Sequence, residues 1–130
     1  MVEIFDPVAS IYKSVADEKP FFTLVEEFYK GVENDLILRP LYPEDLTLSK
    51  EHLALFLIQR TGGRTTYSDQ RGHPRMRARH LPFPIGTNER NAWIKHMSKA
   101  LDTVPEFEPH KPALTEFFEN FATFLINKQD

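Results

Sequence analysis

The chain has no cysteine, which excludes disulfides, zinc–thiolate sites and iron–sulfur clusters. It also lacks an apolar run long enough to cross a bilayer, a signal-peptide pattern and any internal repeat. No segment alternates apolar and polar residues convincingly, so no sheet is expected. Nor does one sign of charge prevail. Sixteen Lys and Arg stand against 19 Asp and Glu, a net charge of −3, and nothing global argues for nucleic acid or an anionic membrane as partner. The basic residues between Arg64 and Arg79 are a local exception. These absences leave a soluble, cytoplasmic chain, expected to fold as one domain over residues 1–130 with a core of its own.

Aromatic side chains are plentiful. Eleven phenylalanines and four tyrosines point to a core of packed rings, a flat apolar ligand, or both. Helical spacing carries most of them. Val8, Ile11, Tyr12 and Val15 predict a first helix over 8–15. After Pro20, the residues Phe21, Val25, Phe28, Tyr29 and Val32 form one face of a second. Prolines at 40 and 43 make 36–45 irregular. Thr47 or Ser49 can cap a third helix with Leu53, Phe56 and Leu57 on one side, ended by Gly62-Gly63. Residues 64–71 have no apolar rhythm and read as a loop. Thr87 can cap a helix bearing Trp93, Met97, Ala100, Leu101 and Val104. Residues 105–112 read as the last loop, and Pro112 opens a helix with Leu114, Phe117, Phe118, Phe121, Phe124 and Leu125. The expected architecture is all-α, five longer helices and a short one.

The short one lies between Pro74 and Pro82. Pro74 can begin a helix, and Pro82 should push Leu81 towards an extended conformation and stop the helix near His80. Met76 and His80 share one face, Arg75 and Arg79 another. Three readings of this segment stand side by side. It is a short surface helix with an incidental histidine, or a helix that aims a metal-ligand histidine, or an arginine patch for phosphate.

The ordered motifs Arg39-Pro40-Leu41-Tyr42-Pro43-Glu44-Asp45, Phe56-Leu57-Ile58-Gln59 before Gly62-Gly63, Thr66-Tyr67-Ser68, Arg71-Gly72-His73-Pro74-Arg75-Met76-Arg77, Arg79-His80 and Glu89-Arg90-Asn91-Ala92-Trp93 resemble the group II truncated haemoglobins. The resemblance runs from about residue 21 to 103 and, less specifically, through the last helix. It implies a truncated globin, a two-over-two helical sandwich around a haem b (iron protoporphyrin IX). One departure is clear: Ala16-Asp17-Glu18 stands where the family has a glycine pair, which bears on the turn between the first two helices.

Residue by residue, the resemblance implies that His80 is the proximal iron ligand, with Met76 beneath the macrocycle. Tyr29, Tyr42 and Trp93 correspond to distal donors, which would hold a partly charged dioxygen in a water-poor pocket. Ser49 takes the distal position that is often histidine in longer globins and leaves room for a ligand. Leu53 and Phe28 should complete the apolar wall, and Phe56 should lie against the haem. Arg79, Tyr67 and, more weakly, His52 match propionate positions. His73 should serve its loop, while His96 and His110 should be solvated. The function implied is reversible binding of dioxygen, carbon monoxide or nitric oxide, by a monomer or homodimer. The competing enzyme reading, nitric-oxide dioxygenase or peroxidase-like turnover on the same haem, needs a separate reductase. A cofactor-free helical module using Arg71, Arg75, Arg77 and Arg79 on phosphate is a third reading, distinguished by the absence of a Soret band.

Overall fold

A computed structural model describes residues 5–129, and among these it contains helices and no strand. The helices are α1 (Ile11–Val15), α2 (Lys19–Glu33), α3 (Thr47–Arg60), α4 (Thr66–Arg71), α5 (Met76–His80), α6 (Thr87–Leu101) and α7 (Lys111–Phe124), with 3-10 segments at Arg39–Leu41 and Pro105–His110. α2 packs against both α3 and α6, and α6 packs against α7. Two helix pairs are therefore stacked, the two-over-two arrangement expected.

The apolar repeat of α2 is buried along its length: Phe21, Leu24, Val25, Phe28, Tyr29 and Val32 all face inward. Its central position follows, because that face meets both neighbours. In α6 the residues Ala92, Met97, Ala100 and Leu101 are buried, and α7 contributes Leu114, Phe118 and Ala122. Phe107 is fully buried and meets Phe21 edge-on, ring centroids 5.0 Å apart. That one ring orders the stretch expected to be a loop as a 3-10 turn.

Other local expectations are corrected. The first helix is only Ile11–Val15; Val8 is buried, but in the turn before it. Asp45, rather than Thr47 or Ser49, accepts the Thr47 N–H at the start of α3, at 2.9 Å. Glu89 rather than Thr87 accepts the Gly86 N–H ahead of α6, at 2.8 Å. Residues 66–71 are helical although they have no apolar rhythm. Gln59 of α3 accepts the Ser68 N–H at 3.0 Å and donates to the Ser68 hydroxyl at 2.8 Å, and Tyr67 buries its ring 5.8 Å from that of Phe56. A single tertiary anchor thus imposes a helix that propensity does not announce.

At the departure noted above, Ala16 follows α1 with φ 57° and ψ 25°. The chain keeps a left-handed turn there with a side chain where glycine fits best. The Cβ strain costs about 1–2 kcal/mol, while glycine's extra unfolded-state freedom offsets about 0.4–1 kcal/mol of the relief. Ala16→Gly is therefore expected to stabilise the fold by roughly 0.5–1 kcal/mol, read as a higher urea midpoint at unchanged slope. A lower midpoint would show that Ala16 is not strained.

Candidate functional site

α5 has five residues and none is fully buried; only Met76 packs against the core, too little to hold it in place. Polar ties do. The Arg79 guanidinium donates to the carbonyls of Pro74 (2.6 Å), Arg71 (2.7 Å) and His73 (3.4 Å). Arg77 donates to the Phe124 carbonyl at the end of α7, at 3.2 Å, with its guanidinium 5.5 Å from the Phe124 ring centre. Asn127 donates to the carbonyls of His80 (3.1 Å) and Phe83 (2.8 Å) and accepts the Ile85 N–H (3.0 Å). The helix begins at Met76 and not at Pro74, since Arg75 just before it is left-handed at φ 42°. Leu81 is also not extended: at φ −54° and ψ −36° it continues the helical turn. Pro82 disfavours that conformation without forbidding it, and the Phe83 N–H closes the turn on the His80 carbonyl at 3.0 Å.

These ties fix one imidazole. His80 Nδ1 lies 2.6 Å from the Met76 carbonyl. A carbonyl can only accept, so Nδ1 carries the proton and Nε2 keeps the ring's lone pair. His80 and Met76 line a cavity of about 300 Å³. The other walls include Tyr29, Tyr42, Ser49, Leu53 and Trp93, with Phe56, Tyr67 and Phe121. Phe28 does not line it. Fully buried, Phe28 stands one layer behind, its ring centroid 5.1 Å from those of Tyr29 and Trp93.

The polar wall is organised from within. Tyr29 and Tyr42 meet edge-on at 5.5 Å. The Tyr42 hydroxyl is influenced by the donor groups of Trp93 and Tyr29, and the Tyr29 hydroxyl by that of Ser49. Desolvation pushes the Tyr42 hydroxyl up to about 12 against the pull of those two donors. The Tyr29 hydroxyl is also raised, by desolvation first and then by Tyr42. Both phenols therefore keep their protons as potential donors.

At the mouth, Arg71 Nη1 lies 2.8 Å from a ring nitrogen of His52. Burial first, and then the Arg71 charge, hold that imidazole below its usual pKa, so His52 is a neutral acceptor to Arg71. Tyr67 lies beneath both Arg71 and Arg79, its ring centre 5.9 and 6.0 Å from their guanidinium carbons. The cavity thus gathers every residue that the resemblance assigned to haem or ligand, except Phe28. It adds Arg71, Arg90, Phe83 and Phe121; Arg90 stood in a quoted motif and Phe121 on the last apolar face without a role, and Arg71 had a role only in the phosphate reading.

One histidine lone pair, apolar walls and a cationic mouth suit a particular kind of guest. Among the described residues no cluster of three or more His, Cys, Asp or Glu side chains could hold a metal ion. The residues present fit a haem: an imidazole nitrogen, apolar walls, and Arg71 and Arg79 at the mouth.

Comparison with known proteins agrees with this geometry. Residues 10–127 match the model of the bacterial-like globins. The chain is 44% identical, over 94 residues, to a group 2 truncated haemoglobin of Bacillus subtilis (strain 168), covering 72% of this chain and 70% of that one. It is similar to the crystal structure of a haemoglobin from the thermophilic phototroph Chloroflexus aurantiacus, with TM-score 0.88 and 45% identity over 92% of this chain and 98% of the other. A truncated oxygen-avid haemoglobin from Bacillus subtilis superimposes with TM-score 0.85 and 35% identity, over 91% and 99% of the two chains.

The raised phenols have a consequence at alkaline pH. Their folded values lie above the ordinary 10.0, so the stability they confer is complete below pH 10 and lost as pH rises through the folded values. In a near-ultraviolet titration of tyrosinate, two of the four tyrosines should resist ionisation until about pH 12 or until the chain unfolds. Tyr42→Phe should remove one of the two. Four tyrosines ionising together near pH 10 would contradict the desolvation of these two hydroxyls.

Proposed function

Because the chain belongs to the bacterial-like globin family, among its group 2 truncated haemoglobins, we propose that residues 1–130 are one cytoplasmic globin domain that carries haem b and reversibly binds dioxygen. When bound, the haem would supply an iron able to take one diatomic ligand: dioxygen, carbon monoxide or nitric oxide.

His80 is the residue to hold that iron, through Nε2. The observation that carries the reading is its Nδ1–H bond to the Met76 carbonyl, at 2.6 Å, in a cavity whose other walls bring three aromatic donors. That bond fixes the tautomer and orients the ring, as an outer partner does for metal-bound histidines generally. Met76, Phe56 and Leu53 supply the apolar surface. Arg79, Tyr67 and His52, joined by Arg71, are the groups for the propionates. Because Arg79 already holds three carbonyls of the 71–74 loop, its replacement should loosen that loop as well as the haem.

On the distal side the donors are Trp93 Nε1–H and the hydroxyls of Tyr29 and Tyr42, with Ser49 behind Tyr29. Grouped together, they can donate to one another when no ligand is present, which limits the cost of polar groups in an apolar pocket. A polar ligand takes over one of those donors, and the exchange favours an acceptor with partial negative charge. This supports tight dioxygen binding, in keeping with the oxygen-avid relative. Turnover of nitric oxide or peroxide on the same haem requires electrons from a separate reductase. Mixing the dioxygen-equilibrated protein with excess nitric oxide and a reductant tests that: repeated turnover would transfer the conclusion to the enzyme reading.

A hydrogen bond to a charged acceptor is worth roughly 1.5–3 kcal/mol, about ten- to a hundredfold in a rate constant. In stopped-flow measurements Trp93→Phe should release dioxygen faster by about that factor, since it keeps most of the ring and loses the donor. Tyr42→Phe should act in the same direction, and the double variant by less than the product, because donors sharing one acceptor are coupled. An unchanged off-rate in Trp93→Phe would reduce Trp93 to packing.

A further inference from the structure

His96, expected in solvent, stands on α6 three residues beyond Trp93 and is largely covered. Its Nε2 lies 2.6 Å from Asp35 Oδ2, and both side chains are only 13% exposed. The other oxygen of Asp35, Oδ1, accepts the N–H groups of Ile37 (2.8 Å) and Leu38 (3.1 Å). The Asp35 carbonyl accepts the Arg39 N–H at 2.9 Å. One acidic residue therefore builds the turn that leaves α2 and leads, through Arg39–Leu41, to Tyr42. Leu38 of that turn is buried at 2% exposure and lines the cavity.

The imidazole also meets α2. A Cβ placed on Gly31, two residues past Tyr29, would overlap His96 Nδ1 and Cγ. The missing side chain is what lets the ring pass between α2 and α6 to reach Asp35. One side chain thus touches the three elements that carry the distal donors: α2 with Tyr29, the 35–42 turn with Tyr42, and α6 with Trp93. None of its contacts lies in the cavity.

We infer that the Asp35–His96 pair is a positioning clamp, seated in the notch at Gly31, that sets Tyr42 against Trp93 and so fixes the geometry of the distal donors. The inference rests on the reading of that wall as the ligand-binding face. A pair serving stability alone would need only to join two elements. This one joins the donor-bearing elements at a point about one turn from a donor on two of them. The carboxyl of Asp35 is held below its usual range, chiefly by the His96 hydrogen bond, so the acceptor is ionised at neutral pH.

Trp93 is the chain's single tryptophan, so its indole N–H gives one assignable resonance in the diamagnetic ferrous carbon monoxide complex. His96→Leu should shift that resonance, shift the carbonyl stretch of the same complex and speed dioxygen release about two- to tenfold, the scale of one ordinary hydrogen bond. His96→Gln, which retains a donor towards Asp35, should restore much of the wild-type signature. Gly31→Ala should reproduce the His96→Leu shifts with both clamp residues intact. If His96→Leu does not fold, Asp35→Asn, which keeps an acceptor for Ile37 and Leu38, carries the same expectation. An unchanged indole resonance and carbonyl stretch in a haem-loaded His96→Leu or Asp35→Asn variant would overturn the clamp, and equal shifts in His96→Gln and His96→Leu would overturn its hydrogen-bond basis. The Soret band of each sample reports the haem separately. A wild-type chain that takes up no haem overturns the ligand-binding reading itself, whereas normal Soret bands with unmoved Trp93 signals overturn the clamp alone.

Discussion

The hydrogen bond from His80 Nδ1 to the Met76 carbonyl, 2.6 Å long, decides which nitrogen of one imidazole carries a proton. The other nitrogen then has only a lone pair, and the rest of the site takes its meaning from that. A five-residue helix is too short to be stable on its own, and here none of its residues is fully buried. Its position has to be imposed by Arg77, Arg79 and Asn127, whose donors end on carbonyls of α7, of the 71–74 loop and of the turn after His80. Two of the four arginines that suggest a phosphate patch in the sequence, Arg77 and Arg79, are thus engaged as fasteners of the histidine helix.

The opposite wall solves a different problem. Three aromatic donors must stay in an apolar pocket without paying for unpaired polar atoms. Grouping them lets each serve as donor or acceptor to a neighbour, with Ser49 beside Tyr29 and Trp93 beside Tyr42. Ring packing holds the bodies in place: Phe28 behind Tyr29 and Trp93, and Phe118 and Phe121 against the indole at 5.7 and 6.2 Å. The many phenylalanines are therefore mostly framework, which keeps a small polar set in register. The Asp35–His96 pair adds a polar tie to that framework from outside the cavity.

Much of this is legible in the chain because it depends on local pattern. The 3.6-residue repeats mark α2, α3, α6 and α7, and His80 stands out by its place before Pro82. What escapes the sequence depends on distant partners. α4 forms because Gln59 reaches Ser68 and Tyr67 finds Phe56, and none of these is an apolar repeat. Asn127 follows the last apolar residue and gives no sign that it holds the turn after His80. Phe28 lies on the expected helix face yet one layer too deep, since a face broad enough to meet two neighbours cannot put every residue on the cavity. His96 looks like a surface residue until Gly31 is seen to leave it a notch.

The central claim is that His80, with Nε2 freed by the Met76 carbonyl, is the protein's bond to a haem iron. The most direct test is the low-frequency resonance Raman spectrum of the ferrous protein reconstituted with iron protoporphyrin IX, compared with His80→Ala. The expected result is an iron–imidazole stretching band in the wild type, lost in the variant and regained on adding free imidazole. The same band persisting in His80→Ala without added imidazole would contradict the claim.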